Sequence, residues 1–124
     1  MSTFKLEMVS LEIETEGYGA YDITDKVQDE VLKHRLVNGL VTVYSPEEHV
    51  SIVLIEYEPN LLADLEKLMK ELGGAAEALL GKTVSVPVVD MFLDTGRFKR
   101  VVLVDISNRG GAKKVYVAME GIFE

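Results

Sequence analysis

Between Gly39 and Pro59 the sequence runs GLVTVYSPEEHVSIVLIEYEP, and this run limits the possible folds more than any other. Leu40–Tyr44 and Val50–Tyr57 are rich in β-branched and aromatic residues and have the length of strands. The second of them is almost continuously apolar, which suits an interior strand. Ser45 to His49 is polar and short, so the stretch reads as strand, turn, strand. Glu47, Glu48 and His49 stand side by side in that turn. Ionisable residues held between two core strands mark the first place to look for a site.

The rest of the chain sets these strands in an α+β order. Phe4 to Thr15 alternates, with a phase slip near Met8–Val9 that predicts a bulge or bend. Gly17 and Gly19 mark a turn. Thr24 is placed to cap a helix starting at Asp25, and Lys33, His34 and Arg35 suit its negative end. Asn38-Gly39 is read as the left-handed stop of that helix. Leu61, Leu62, Leu65, Leu68, Met69 and Leu72 recur at helical spacing, Glu66 and Lys70 are spaced to pair, and Gly73-Gly74 ends the helix. A short helical piece, Ala75 to Leu80, follows. Thr83 to Asp90 is a strand that Pro87 confines to an edge or an irregular place. Asp94-Thr95-Gly96 is read as a hairpin-like turn, Phe98 to Ser107 as a strand, Asn108 to Ala112 as a second hairpin turn, and Lys113 to Met119 as the last strand. The order is β-α-ββ-α-βββ. Strand-to-strand turns without regular strand–helix alternation predict an α+β fold. It is expected to be a mainly antiparallel sheet or sandwich packed with two to three helices, as one domain over residues 1–124.

Composition removes several function classes. The chain has 124 residues and no cysteine, so it has no disulfide framework and no thiolate metal site or nucleophile. That is compatible with a cytoplasmic location. No apolar run approaches the roughly 20 residues of a membrane span, and the N-terminus lacks a signal-peptide pattern. The net charge is −8 with basic residues scattered, which argues against nucleic acid as a partner. No phosphate-loop, dinucleotide, zinc-protease or nucleophile-elbow motif is present. His34 is accounted for by its place at a helix end.

Three segments carry a resemblance. AYDITDKV (Ala20–Val27), GLVTVYSP followed by EYEP, and LLGKTVSVPVVD (Leu79–Asp90) followed by Gly96 resemble the YjbQ-like family of secondary thiamine-phosphate synthases. The resemblance implies an α+β fold with a large antiparallel sheet and a homotrimer with ligand sites near subunit boundaries. It also implies an activity class: joining a pyrimidine pyrophosphate to a thiazole phosphate with pyrophosphate leaving. Such chemistry needs cations or backbone N–H groups for the phosphates and usually a divalent metal.

Ser45, Pro46, Glu56, Asp90 and Gly96 match the family pattern, but the polar site does not. Glu47, Glu48, His49 and Val50 stand where the family has His-Thr-Thr-Ala. Gly73 to Leu80 is much shorter than the family's corresponding segment and lacks its asparagine, aspartate and histidine. Gly96, Arg97, Phe98 and Lys99 replace Gly-Thr-Trp-Gln.

Two functions are therefore expected to compete. In one, Glu47, His49 and Asp90 act catalytically, Glu47 and His49 hold a divalent metal, and Ser45, Arg97 and Lys99 bind a phosphorylated small molecule. In the other, the chain is a trimeric small-molecule-binding or non-catalytic member and the turn is an acidic, solvated loop. Carboxylates in place of neutral anion-binding groups repel a pyrophosphate, which favours the second. The substrate, the metal and the physiological partner are not encoded in any motif.

Overall fold

The computed structural model describes residues 3–124. The elements are β1 (Thr3–Thr15), β2 (Gly19–Asp22), α1 (Thr24–His34), β3 (Leu36–Tyr44), β4 (Val50–Glu56), α2 (Pro59–Leu72), a 3-10 turn (Gly73–Ala75), α3 (Ala76–Leu80), β5 (Thr83–Val89), β6 (Phe92–Leu93), β7 (Lys99–Asp105) and β8 (Gly111–Phe123). The expected order is present, with the short strands β2 and β6 added to it. The fold is α+β and every strand pair is antiparallel.

The strands form two sheets. Sheet A has the order β1-β8-β3-β5-β6, and sheet B the order β2-β7-β4. Their facing sides make the main core. Sheet A supplies Ile13, Val41, Val43, Val86, Val115 and Val117, and sheet B supplies Val50, Ile52, Val101 and Leu103. Val27 and Val31 of α1 join this core. The other face of sheet B packs Val102 and Val104 against Met69 of α2 and Ala76 of α3. The layers are thus sheet A, sheet B, helices. β7 lies in the middle layer, so Val101, Val102, Leu103 and Val104 are all fully buried. That explains its unbroken apolar run, and each such side chain contributes about 1.5–3 kcal/mol.

The turns differ from the sequence expectation in one consistent way. Asp94-Thr95-Gly96 and Asn108 to Ala112 do not close the expected hairpins, and the 45–49 turn between β3 and β4 behaves in the same way. Each carries the chain from one sheet to the other, because β3, β6 and β8 belong to sheet A and β4 and β7 to sheet B. Apolar alternation marks a strand but does not say which sheet it joins.

Local signals were also redirected by tertiary contacts. Thr24 does not cap α1 with its side chain. Its hydroxyl accepts from the Val101 N–H at 2.8 Å, and the Asp22 carboxylate takes the Thr24 N–H at 3.0 Å instead. The left-handed stop is Arg35 (φ 61), not Asn38-Gly39. Gly39 sits inside β3, where a Cβ would lie 2.0 Å from the Glu120 carbonyl oxygen of β8. Glycine is needed there for close strand approach. β1 has no bulge at Met8–Val9: it pairs with β8 in unbroken register. The slip in the sequence reflects exposure, since Phe4, Leu6 and Met8 face outward from sheet A and remain 59–70% exposed. For α2 the signals hold. The Glu58 carboxylate accepts from the Asn60 and Leu61 N–H groups, Pro59 takes the first turn and Lys70 meets Glu66 at 3.1 Å.

Candidate functional site

One end of the sandwich gathers the β1–β2 loop, the 45–49 turn, the Gly73-Gly74 bend and the 106–110 turn. Between them lies an open groove of about 930 Å³, lined among others by Tyr18, Glu47, Glu48, His49, Arg109 and Lys113. The pairing of Val50 with Asp105 brings the two corner turns together, and the Ile106 N–H donates to the His49 carbonyl at 2.8 Å.

The polar atoms of the 45–49 turn are largely committed to the fold. Ser45 is buried, and its hydroxyl donates to the Lys114 carbonyl at 2.8 Å. The Glu47 carboxylate accepts the Lys114 N–H at 2.8 Å, which satisfies a donor of β8. Lys82 reaches in from the start of β5. Its ammonium donates to the Glu47 carbonyl at 2.6 Å, the Val50 carbonyl at 2.8 Å and the Glu77 carboxylate at 2.5 Å. The other Glu77 oxygen accepts the His49 N–H at 3.0 Å. A lysine has three donors, and all three of Lys82's are used. The hydrogen bond from Lys82 holds the Glu77 carboxyl below its ordinary value, against a smaller opposing effect of burial. His49 stands at φ 61 with an exposed ring, and its Nδ1 lies 3.9 Å from Glu77. Glu48 is exposed.

Around Glu47 and His49 the carboxylates already have partners within the chain. Among the described residues no group of three or more His, Asp or Glu side chains converges. The Glu77 carboxylate beside His49 is neutralised by Lys82, and one Glu47 oxygen is taken by the backbone of β8. A divalent ion would have to compete with an ammonium already in place.

A second network closes the same end. Asp105 is fully buried at the end of β7. It accepts from the Thr15 hydroxyl at 2.7 Å and from the Ser107 N–H and hydroxyl at 2.9 and 2.7 Å, with the Lys113 ammonium 3.9 Å away. Paired in this way, a buried carboxylate anchors β1 and the 106–110 turn.

Arg97 and Lys99 lie at the opposite end. They line a groove of about 530 Å³ with Asp22, Glu56, Tyr57, Thr95, Gly96, Phe98 and Arg100. The length of β7 separates this groove from the first, roughly 20 Å at about 3.3 Å per residue. The Arg97 guanidinium stacks over Phe98 at 5.4 Å. Arg100 is bound to Asp22 at 2.8 Å and Asp25 at 3.1 Å. Burial pushes the Asp22 carboxyl up, but hydrogen bonds from Arg100 and Thr24 outweigh it and the net shift is downward.

Asp90 lines neither groove. It forms the two-residue β5–β6 turn with Met91, both at positive φ (51 and 73), and its N–H donates to Asn38. Within one chain, then, Ser45, Glu47 and His49 come together, Arg97 and Lys99 come together elsewhere, and Asp90 joins neither pair. Sequence reading missed Lys82, Glu77 and Asp105. Two signals were present: a lone lysine between Gly81 and a β-branched strand, and an aspartate ending the apolar run VVLVD.

The fold and its two end grooves define a small α+β sandwich protein with open, mixed-charge sites. A family model described as UPF0047 protein YjbQ-like matches residues 9–77, and the chain belongs to this YjbQ-like family. A hypothetical protein from Aeropyrum pernix superposes with a TM-score of 0.85 at 25% identity, covering 93% of this chain and 98% of that one. A YbjQ-like protein of unknown function from Sulfolobus solfataricus has a TM-score of 0.81 at 20% identity, covering 98% and 99%. A conserved hypothetical protein from Thermus thermophilus gives 0.78 at 22%, covering 88% and 97%. The last two likenesses speak to fold alone. No curated protein matches the chain.

Proposed function

We propose that this chain is a non-catalytic, homotrimeric member of its family, in which the turn after Ser45-Pro46 has become a structural clasp. The observation that carries this is the Lys82 ammonium, which spends its three donors on the Glu47 and Val50 carbonyls and on Glu77. A group that must bind a pyrophosphate or move a proton needs free valence toward the ligand. Here Lys82 and both Glu77 oxygens are occupied within the chain, as is one oxygen of Glu47. The absence of cysteine agrees with a cytoplasmic location.

Support for self-assembly comes from sheet A. Among the described residues no helix covers its outer face, and Phe4, Leu6, Met8, Tyr44, Val89 and Phe92 are exposed on it or at its edge. Exposed apolar surface of this kind marks an interaction site. The chain number of the assembly is then a multiple of three. A monomer at micromolar concentration in sedimentation would refute the trimer.

The activity claim is tested by incubating the protein with a pyrimidine pyrophosphate, thiazole phosphate and magnesium. No thiamine phosphate is expected. Turnover that is abolished by Glu47→Ala or His49→Ala would overturn the proposal.

A second reading rests on Arg97 and Lys99. Neither has an ion-pair partner among the described residues, and both line the far groove. That pair suits a phosphate of a small molecule, most simply at a subunit boundary where another copy completes the groove. Calorimetry with pyrophosphate, repeated with Arg97→Ala/Lys99→Ala, decides it: heat lost in the double variant supports this reading, and no heat in the parent protein removes it.

A further inference from the structure

Sheet A ends in an edge that the sandwich does not use. β1 is 13 residues long and pairs with β8 along one side. No strand lies on its other side among the described residues. Among the same residues, no backbone group of Phe4 to Met8 bonds outside the β1–β8 ladder. A long apolar edge is a template for another strand unless it is blunted or covered. Here Phe4, Leu6 and Met8 are 70%, 60% and 59% exposed. Lys5 and Glu7 take the opposite face, with their charged groups 3.1 Å apart.

The sequence of this edge is complementary to itself. From Phe4 to Met8 it reads apolar, cation, apolar, anion, apolar. Laid antiparallel against a copy and centred on Leu6, it puts Leu6 opposite Leu6 and Phe4 opposite Met8. Lys5 then meets Glu7 in both directions. Centring on Lys5 or on Glu7 sets like charges directly opposite each other, which is destabilising. Shifting by one residue sets charged positions against apolar ones. Within this stretch, only the Leu6-centred register satisfies both faces.

We propose that the β1 edge pairs with β1 of a second copy, antiparallel and centred on Leu6, extending sheet A across a twofold axis. Such a contact is isologous and closes on two copies. It goes beyond the trimer and does not depend on it: with the trimer it joins trimers into an assembly of six chains, and without the trimer it pairs two. The two are distinguishable by mass: the trimer requires a chain number divisible by three, and the β1 contact requires an even one.

Charge exchange tests the contact. Lys5→Glu alone places acid opposite acid, and Glu7→Lys alone places base opposite base. Each single variant is expected to halve the mass of the assembly in sedimentation and native mass spectrometry. The double variant Lys5→Glu/Glu7→Lys is expected to restore it, as is an equimolar mixture of the two single variants. An odd chain number in the parent protein, or single variants that keep the parent mass, would overturn the proposal. A second readout is independent of charge. The chain has no native cysteine, so Leu6→Cys introduces one thiol at the self-opposed position. Opposed strand residues lie within disulfide reach. Under mild oxidation Leu6→Cys should cross-link pairs of chains, and Ser10→Cys should not. Equal cross-linking by both, or by neither, would contradict the register.

Discussion

At the scale of single residues, Lys82 explains most about the 45–49 turn. Its contacts make the turn structural, so substitutions there are expected to act on stability. Glu47→Ala removes the acceptor of a β8 N–H and is expected to cost about 1–2 kcal/mol in a denaturant titration. A purely solvated carboxylate would change the midpoint by less than about 0.5 kcal/mol. Met91 is the converse case. It holds φ 73 in a two-residue turn whose first residue, Asp90, is also at positive φ. Such turns favour Asp-Gly. Met91→Gly is therefore expected to raise stability by about 0.5–1 kcal/mol, read as a higher denaturation midpoint. A β-branched residue at the same position would lower it.

At the scale of elements, the clasp joins α3 and the start of β5 to the β3–β4 turn. At the far end Arg100 of β7 does the same for Asp22 at the end of β2 and Asp25 of α1. The Glu77 and Asp22 carboxyls are held below their ordinary values of 4.5 for Glu77 and 3.8 for Asp22. A lowered folded-state value means the charged form is favoured by folding. The stability these groups contribute is complete above their ordinary values and is lost as pH falls below them. Thermal melts should therefore be nearly flat from neutral pH to about pH 5 with respect to these two groups, and drop below about pH 4.5. Lys82→Met should flatten the Glu77 part of that drop. An acid limb unchanged in the variant would show that Lys82 does not hold Glu77.

Strand and helix positions were legible in the sequence because apolar periodicity is a local property. Leu61 to Leu72 and Val50 to Tyr57 needed no tertiary information. The turn assignments failed in a physical way. The 94–98 and 106–110 turns have hairpin composition, but composition does not record that their strands belong to different sheets. Thr24 and Gly39 show the same limit: a good cap and a good helix stop were each claimed by a neighbouring strand. The candidate site was legible only as far as Ser45, Glu47 and His49, which are close in sequence. Its partners Glu77, Lys82 and Lys114 are brought in by topology.

At the scale of the whole molecule, three layers depend on close contact between β3 and β8. Gly39 and Gly121 face each other there, and a Cβ on Gly121 would lie 2.2 Å from the Asn38 carbonyl oxygen at φ 146. Gly121→Ala is expected to cost at least about 2 kcal/mol through overpacking and backbone strain, seen as a lower melting temperature. Because β3 carries the chain into the clasp, this loss should reach the 45–49 turn as well as sheet A. A wild-type melting temperature would mean that the strands separate at no cost.

The central claim is that the turn is held by the chain's own ion pair and not kept free for a ligand. A double-mutant cycle between Lys82→Met and Glu77→Gln, read by denaturant unfolding, tests it most directly. The account predicts a coupling of about 1 kcal/mol or more between the two positions. Additive effects within about 0.3 kcal/mol would contradict it, because the two side chains would then be energetically independent.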